Sequence, residues 1–119
     1  IVDFGLSTFT PRMLILDSDA KVLNAARKVA SSNGIEAITA LGIKNAFELL
    51  GSNSYNILLC GRLRTTSKGL AFLNDVKLHY KDIIHVYSYD SEARRMLSEE
   101  ELTLCINDSL RQVRENIPT

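Results

Sequence analysis

The chain alternates short apolar runs with amphipathic helical patterns, and this alternation constrains its fold more than any other feature. Four runs are predicted as strands: Met13–Leu16, Ile35–Ala40, Ile57–Cys60 and Ile83–Ser88. Between them, apolar residues recur at the three- and four-residue spacing of helices, over residues 20–33, 43–50 and 69–80. Strand–helix alternation is typical of parallel crossover units. The sequence therefore predicts an α/β fold with a doubly wound parallel sheet and helices on both faces.

Composition is that of one ordinary globular domain. The 119 residues are 45% hydrophobic and 24% charged, which is enough to bury a core. The 14 basic residues balance the 14 acidic ones, which argues against nucleic acid as a partner of this domain. No apolar run approaches the ~20 residues needed to span a bilayer. The start of the chain has neither a methionine nor a basic leader, so we expect a cytoplasmic segment of a longer protein.

The apolar stripes of the helices predict which residues face the core. They consist of Val22, Leu23, Ala26, Val29 and Ala30, then Ala46, Phe47 and Leu50, then Leu70, Leu73 and Val76, and last Leu102, Cys105, Ile106, Leu110 and Val113. Cys60 and Cys105 are expected to be buried, reduced thiols. We assign residues 13–119 to the domain and residues 1–12 to a tether or an extra edge element.

The segment after the fourth strand is unusually short. Asp90 and Ser91 are predicted to cap one or two helical turns, and Ser98 with Glu101 forms a capping box that opens a helix to about Glu115. Only nine residues, 89–97, separate Ser88 from Ser98. That interval has room for a short helix or a short strand, but hardly for both.

The central segment contains two glycines at an informative spacing. Tyr55–Gly61 is predicted as a buried strand that enters a basic loop, and Gly69 opens the next helix eight positions after Gly61. This rhythm resembles the receiver domains of two-component response regulators. In those domains the central strand ends in a phosphate-accepting aspartate, and a glycine follows eight positions later. The resemblance therefore places Gly61, which has no side chain, at the acceptor position.

The resemblance also implies what stands at the other pocket positions. Asp17 matches the first of two acids that hold a magnesium ion in receivers, whereas Ser18 replaces the second. Ser88 matches the serine or threonine that binds the phosphoryl group. The Lys-Pro pair of the family has no counterpart in residues 94–98. The implied pocket is degenerate: Asp17, Ser18, Gly61 and Ser88, with no catalytic, cofactor or metal-binding role. A plainer interpretation is that Asp17–Asp19 is only a turn and helix cap and that Ser88 merely ends a strand.

For the fold, the resemblance implies a flavodoxin-like, receiver-like three-layer sandwich. Its strands would lie in the order second, first, third and fourth. A receiver normally places a whole helix and a fifth strand between the fourth strand and the last helix. We expect that region to be shortened here, and any fifth strand to be very short.

For function, the resemblance implies a pseudo-receiver that is not an enzyme, needs no cofactor and acts through protein–protein contact. Its partner would be a histidine kinase, an output domain, another domain of the same signalling protein, or a second copy. Two alternatives remain open. One is an active phosphoacceptor with a displaced acidic site, and the other is a small anion-binding module that uses Arg62, Arg64 and Lys68.

The shortened interval also predicts a docking surface. A missing fifth strand would uncover the side of the fourth strand, together with residues beside its end: Ile84, Val86, Tyr87, Met96 and Leu97. With the exposed side of the Ser98–Glu115 helix, this face is predicted to form a self-association or docking surface. An uncovered edge recruits a partner or promotes aggregation. The alternative is that the last helix shifts across and closes the gap.

Overall fold

A four-stranded parallel sheet forms the centre of the molecule. The computed structural model describes residues 10–115. Its strands are β1 (Arg12–Asp17), β2 (Glu36–Leu41), β3 (Ile57–Cys60) and β4 (Ile84–Tyr87). They lie in the order β2-β1-β3-β4, and every pairing is parallel. The predicted fold class and strand order are confirmed. The predicted tether or edge element covers residues 1–12. Residues 1–9 lie outside the described part of the chain, and Arg12 is the first residue of β1.

Four helices cover the two faces of the sheet. They are α1 (Ala20–Ser32), α2 (Ile43–Ser52), α3 (Ser67–His79) and α4 (Glu99–Glu115). Helices α1 and α4 pack in one core cluster, and α2 and α3 pack in the other, on the opposite face. Within residues 10–115, no helix has the length and apolar content needed to cross a bilayer.

The two clusters share the central strands because successive side chains of a strand point to opposite faces. In β3, Ile57 and Leu59 belong to the α1/α4 cluster, whereas Leu58 and Cys60 belong to the α2/α3 cluster. All four side chains are fully buried. Strands buried on both faces need continuous apolar runs rather than alternation. That is why the short runs in the sequence identify the centre of the sheet.

Side-chain chemistry defines the starts of three helices. Asp19 caps α1, since its Oδ1 accepts from the Lys21 amide at 2.9 Å. Thr66 caps α3, since its hydroxyl accepts from the Gly69 amide at 2.9 Å. The predicted capping box before α4 is present, with the Ser98 amide donating to Glu101 Oε1 and the Glu101 amide donating to Ser98 Oγ.

Several predicted core positions are wrong. Phe47 is 43% exposed and Leu70 is 52% exposed, while Cys105 is also exposed. Val22 is only partly buried. The inward face of α3 instead consists of Gly69, Phe72, Leu73 and Val76. A glycine occupies the first position of that stripe, so the apolar pattern alone shifts the predicted face by one residue.

The interval before α4 forms a small hairpin instead of the predicted helical turns. Strands β5 (Tyr89–Asp90) and β6 (Arg95–Met96) pair antiparallel and are separate from the main sheet. The side chain of Asp90 stabilises the connecting turn, because its Oδ1 accepts from the amides of Glu92 and Ala93. The Leu97 amide donates to the Ser88 carbonyl at 2.8 Å and ties the hairpin to the end of β4. The interval is thus shortened as expected, and within residues 10–115 no fifth strand joins the sheet.

Candidate functional site

Three of the predicted pocket residues meet where β1, β3 and β4 end. Asp17 is the last residue of β1, and Gly61 and Ser88 directly follow β3 and β4. The Gly61 amide donates to the Leu16 carbonyl at 3.0 Å, and the Ser88 amide donates to the Cys60 carbonyl at 3.1 Å. These bonds continue the parallel ladder by one residue. They fix Asp17, Gly61 and Ser88 side by side at the carboxyl edge, where ligands bind in open α/β sheets.

The Asp17 carboxylate fills the space that a side chain at position 61 would need. A Cβ atom on Gly61 would lie 1.8 Å from Asp17 Oδ2, 2.9 Å from Asp17 Cγ and 3.4 Å from Ser88 Oγ. Contacts of the first two lengths are sterically impossible, so this arrangement requires glycine. Asp17 is 3% exposed and Ser88 is 5% exposed. The position matching the phosphoacceptor is therefore occupied by a neighbouring carboxylate that solvent barely reaches.

The two oxygens of Asp17 have different surroundings. Oδ1 accepts from the Asp19 amide at 3.0 Å, so Asp17 supports the turn that leads into α1. Oδ2 is buried, and no hydrogen-bond partner for it lies among the described residues. The buried thiol of Cys60 lies near Asp17. Burial, and then the nearby Asp17 carboxylate, raises the pKa of that thiol to about 11, so the thiol stays protonated and unreactive at neutral pH.

The residues present do not fit the magnesium ion that the receiver resemblance implies. Magnesium prefers several oxygen ligands in octahedral geometry. Asp17 is the only carboxylate among the predicted pocket residues, and Ser18 at the second acid position is exposed. In residues 10–115 no group of three or more His, Cys, Asp or Glu side chains could share a metal ion.

The basic loop after β3 is held by tyrosines. Residues Arg62–Thr65 form a 3-10 helix. The Arg64 guanidinium lies 4.1 Å from the centre of the Tyr87 ring and donates to the Tyr89 carbonyl at 3.1 Å. The Arg62 guanidinium lies 5.7 Å from the centre of the Tyr89 ring. Cation–π contacts of this kind fix an arginine over its aromatic partner. Two of the three predicted anion contacts, Arg62 and Arg64, thus make structural contacts with β4 and the hairpin. The third, Lys68, is exposed in the first turn of α3.

Gly69 packs against this loop closely enough to explain its place in the sequence. A Cβ atom there would lie 1.7 Å from the Leu63 carbonyl oxygen. Because that atom belongs to the backbone, it cannot rotate away. The glycine eight positions after Gly61 is therefore required by the close approach of α3 to the 3-10 helix.

The five predicted docking residues contribute mainly to folding contacts. Val86 is buried in the α1/α4 cluster, with Ile84 and Leu97 packed against it. Tyr87 packs against the α2/α3 cluster, and Met96 is partly buried in the hairpin.

Helix α4 packs on one face of β4, but the outer edge of the strand is uncovered within residues 10–115. Sequence reasoning did not single out His85 and Tyr89, which also line this edge. The exposed side of α4, where Leu104 lies, is part of the predicted docking surface.

Comparison with known proteins supplies the fold family. No protein-family model matches the chain, and no curated protein sequence matches it significantly. Several solved structures do match the chain. The signal receiver domain of an HD domain-containing protein from Pseudomonas fluorescens Pf-5 superposes with a TM-score of 0.72 and 18% identity, covering 91% of this chain and 100% of that one. The chain has the receiver fold.

Two further solved structures are also similar to this chain. A CheY-like response regulator receiver domain from Methanospirillum hungatei JF-1 has a TM-score of 0.71 and 19% identity, covering 92% of this chain and 100% of that one. NtrX from Brucella abortus, solved in complex with ADP, has a TM-score of 0.74 and 15% identity over 90% of this chain. The match spans only 28% of NtrX, so this receiver fold corresponds to one part of that longer protein.

Proposed function

We propose that this chain is a pseudo-receiver, a receiver-fold module that signals through protein contact without being phosphorylated. The position of the Asp17 carboxylate beside Gly61 is the observation that supports this best. A degenerate receiver could leave an empty cavity at the missing acceptor. Here the Asp17 carboxylate fills that cavity. Asp17 and the Ser88 hydroxyl both lie within 3.4 Å of the position that a Cβ atom of residue 61 would occupy. Of the degenerate pocket, Asp17, Gly61 and Ser88 thus form a packed structural element, while Ser18 is exposed.

The surrounding cations also favour this proposal. Phosphoryl transfer to a carboxylate needs positive charge beside the transferred oxygens. Arg95, in the region where receivers carry their lysine, makes a two-pronged ion pair with Glu101 at 2.7 and 2.8 Å. Arg64 is held over Tyr87. Both guanidinium groups therefore already have partners within the fold.

The partner that we propose is another protein or another domain of the same signalling protein, either a histidine kinase or an output domain, in the cytoplasm. Receiver-fold structures such as NtrX, of which this fold corresponds to only a part, support the idea of a module attached to a larger protein. The closed pocket then serves to hold one conformation of the carboxyl edge. No enzymatic activity, cofactor, nucleic acid or membrane has a role in this proposal.

Treatment with acetyl phosphate and magnesium tests the absence of phosphorylation. We expect intact-protein mass spectrometry to show no phosphoryl adduct, because the matching position lacks a carboxylate and Asp17 is buried. A phosphorylatable receiver domain treated in parallel establishes that the reagent is active. An adduct that peptide mapping assigns to Asp17 would overturn the proposal in favour of a displaced phosphoacceptor.

The anion-binding alternative predicts a different result in a simple assay. If Arg62, Arg64 and Lys68 form an anion site, inorganic phosphate raises the melting temperature more than chloride does at equal ionic strength. We expect no such difference, because Arg62 and Arg64 already lie over Tyr89 and Tyr87.

A further inference from the structure

Strand β4 has an unpaired edge. The Ile84 amide donates to the Asn56 carbonyl at 2.9 Å, and the Ser88 amide donates to the Cys60 carbonyl at 3.1 Å. Alternate residues of a strand turn their peptide groups to opposite sides. The peptide groups of His85 and Tyr87 therefore point away from β3, toward a side where residues 10–115 place no strand. Such an edge is a template for another extended chain.

A groove runs along this edge. It has a volume of about 570 Å³ and is bounded by β4, by the β5–β6 hairpin and by one side of α4. Leu104 and Cys105 form the α4 wall, and both are exposed, Leu104 by 70%. Leu97 supplies further apolar surface beside Val86. The groove thus combines unpaired backbone groups with apolar walls, the two features that β-strand addition uses.

The charges around the groove are mainly negative. Asp90 and Glu92 line it from the hairpin, and Asp108 lines it from α4, where it is also paired with Arg111. The one guanidinium in the lining belongs to Arg64, which already stacks on Tyr87 and donates to the backbone. An occupant with basic side chains matches this distribution.

The position of α4 decides what kind of chain fits. Helix α4 contacts β4, and its Leu102 and Ile106 belong to the core cluster that contains Val86. Neighbouring side chains of α4 form one wall of the groove. A second copy pairing symmetrically through β4 would bring its own α4 to the same face, offset by about one strand spacing of 4.8 Å. Packed helices need about 8–10 Å between their axes. A single extended segment carries no helix and avoids this collision.

We propose that the groove binds an extended basic and apolar segment of a partner protein, which adds to β4 as a fifth strand. Its backbone pairs with His85 and Tyr87. Its apolar side chains contact Leu97 and Leu104, and its lysine or arginine side chains lie near Glu92. This deepens the proposed function, since it names the surface and the chemistry of the partner. The proposed binding surface does not depend on the result of the phosphorylation assay. It can therefore be refuted independently of the proposed absence of phosphorylation.

A labelled model peptide tests the proposal. The probe is fluorescein-Lys-Val-Lys-Val-Lys-Val-Lys-amide, which alternates as a strand does, and binding to the full chain is followed by fluorescence anisotropy. A peptide of the same composition with its three valines adjacent controls for charge. A peptide with proline at the central valine controls for strand pairing. We expect saturable binding of the alternating peptide and at least about tenfold weaker binding of both control peptides.

Protein variants then locate the binding surface. Leu104→Lys and Glu92→Lys place positive charge in the groove. Leu78→Lys, at a leucine that is 64% exposed on α3, and Glu48→Lys on α2 make matched changes elsewhere. We expect the groove variants to weaken binding at least about tenfold and the matched variants to change it less than about twofold. Circular dichroism shows whether all four variants stay folded.

Each other outcome overturns the proposal in a defined way. If all four variants bind alike, or if the control peptides bind as well as the alternating peptide, the interaction is unspecific. If the wild-type chain sediments as a dimer that Leu104→Lys dissociates, a second copy is the occupant. If the peptide binds only after removal of residues 1–9, that segment of the same chain occupies the groove.

Discussion

The carboxyl edge of the sheet and the outer edge of β4 each lack something that a receiver has, and they differ in how the loss is accommodated. At the carboxyl edge one side chain is missing, and the Asp17 carboxylate fills its space beside Gly61. Along β4 the residues from 10 to 115 supply no fifth strand, and a groove remains next to His85 and Tyr87. A neighbouring side chain can fill a lost side-chain volume. A row of exposed peptide groups can be satisfied by water or by another extended backbone. We therefore expect the first difference to close a site and the second to leave one open.

The largest expected effect tests how tightly α3 packs against the 3-10 helix. Gly69→Ala would place a methyl group 1.7 Å from the Leu63 carbonyl oxygen, so α3 and the 3-10 helix must separate. We expect a loss of about 3 kcal/mol in the free energy of unfolding, measured by urea denaturation. The matched control is Gly51→Ala in α2, where no heavy atom lies within 4 Å. That change should stabilise the protein by about 0.5 kcal/mol. Equal effects of the two substitutions would show that the loop is loosely packed.

A double-mutant cycle tests the closed pocket itself. Gly61→Ala collides with Asp17 and should cost about 2 kcal/mol in the wild-type background. In an Asp17→Ala background the obstructing carboxylate is gone, so the same change should cost at least about 1 kcal/mol less. Additive effects in urea denaturation would mean that Asp17 does not occupy the space beside position 61.

The smallest expected effect lies at the open edge and depends on pH. Burial, and then the charge of Lys77, lowers the pKa of His85 below its usual value of 6.5. Neither ring nitrogen has a hydrogen-bond partner among the described residues. The neutral form is favoured in the folded state, so its stabilising contribution is complete above pH 6.5. It is lost as the pH falls from 6.5 through the lowered pKa.

Melting temperatures of the wild type and two variants between pH 7 and pH 5 measure this contribution. We expect His85→Leu to flatten the decline on acidification and His79→Leu, at an exposed histidine, to leave it unchanged. The pH range in which His85 affects stability is separate from that of Glu101. The Arg95 ion pair and the Ser98 amide lower the pKa of Glu101 from 4.5 to about 2. Loss of the Glu101 contribution begins only below pH 4.5. If the decline in melting temperature persists in His85→Leu, groups other than His85 cause it.

The sequence predicts the sheet well because the central strands are buried on both faces and leave unbroken apolar runs. It also predicts that Asp19 and Ser98 cap helices, since capping is a local interaction. It fails where burial depends on tertiary contacts. Leu70 fits a helical stripe, but the inward face of α3 begins at Gly69, which carries no apolar side chain to reveal it. Cys105 likewise fits the predicted stripe of α4 but is exposed. The polar Ser109 is buried instead, and its hydroxyl donates to the Ile106 carbonyl within the helix.

The candidate site was predictable as a set of positions but not as an arrangement. Parallel pairing brings the ends of neighbouring strands together, so the proximity of Asp17, Gly61 and Ser88 follows from topology. The direction taken by the Asp17 side chain does not, because it depends on the space that glycine leaves. The hairpin at residues 89–97 was also beyond prediction, since both of its strands are only two residues long.

The contact between Asp17 and position 61 also restricts the mutational routes that are open to such a chain. An aspartate introduced at position 61 meets the carboxylate of Asp17 in the space where its own Cβ must lie. An aspartate at this position therefore requires Asp17 to move or be replaced as well, so we expect Gly61→Asp alone to be less stable than Gly61→Asp combined with Asp17→Ala. We therefore expect the effects of substitutions at the two positions to depend on each other. The geometry of one glycine would then oppose an acceptor here, even though a single nucleotide change converts some glycine codons to aspartate.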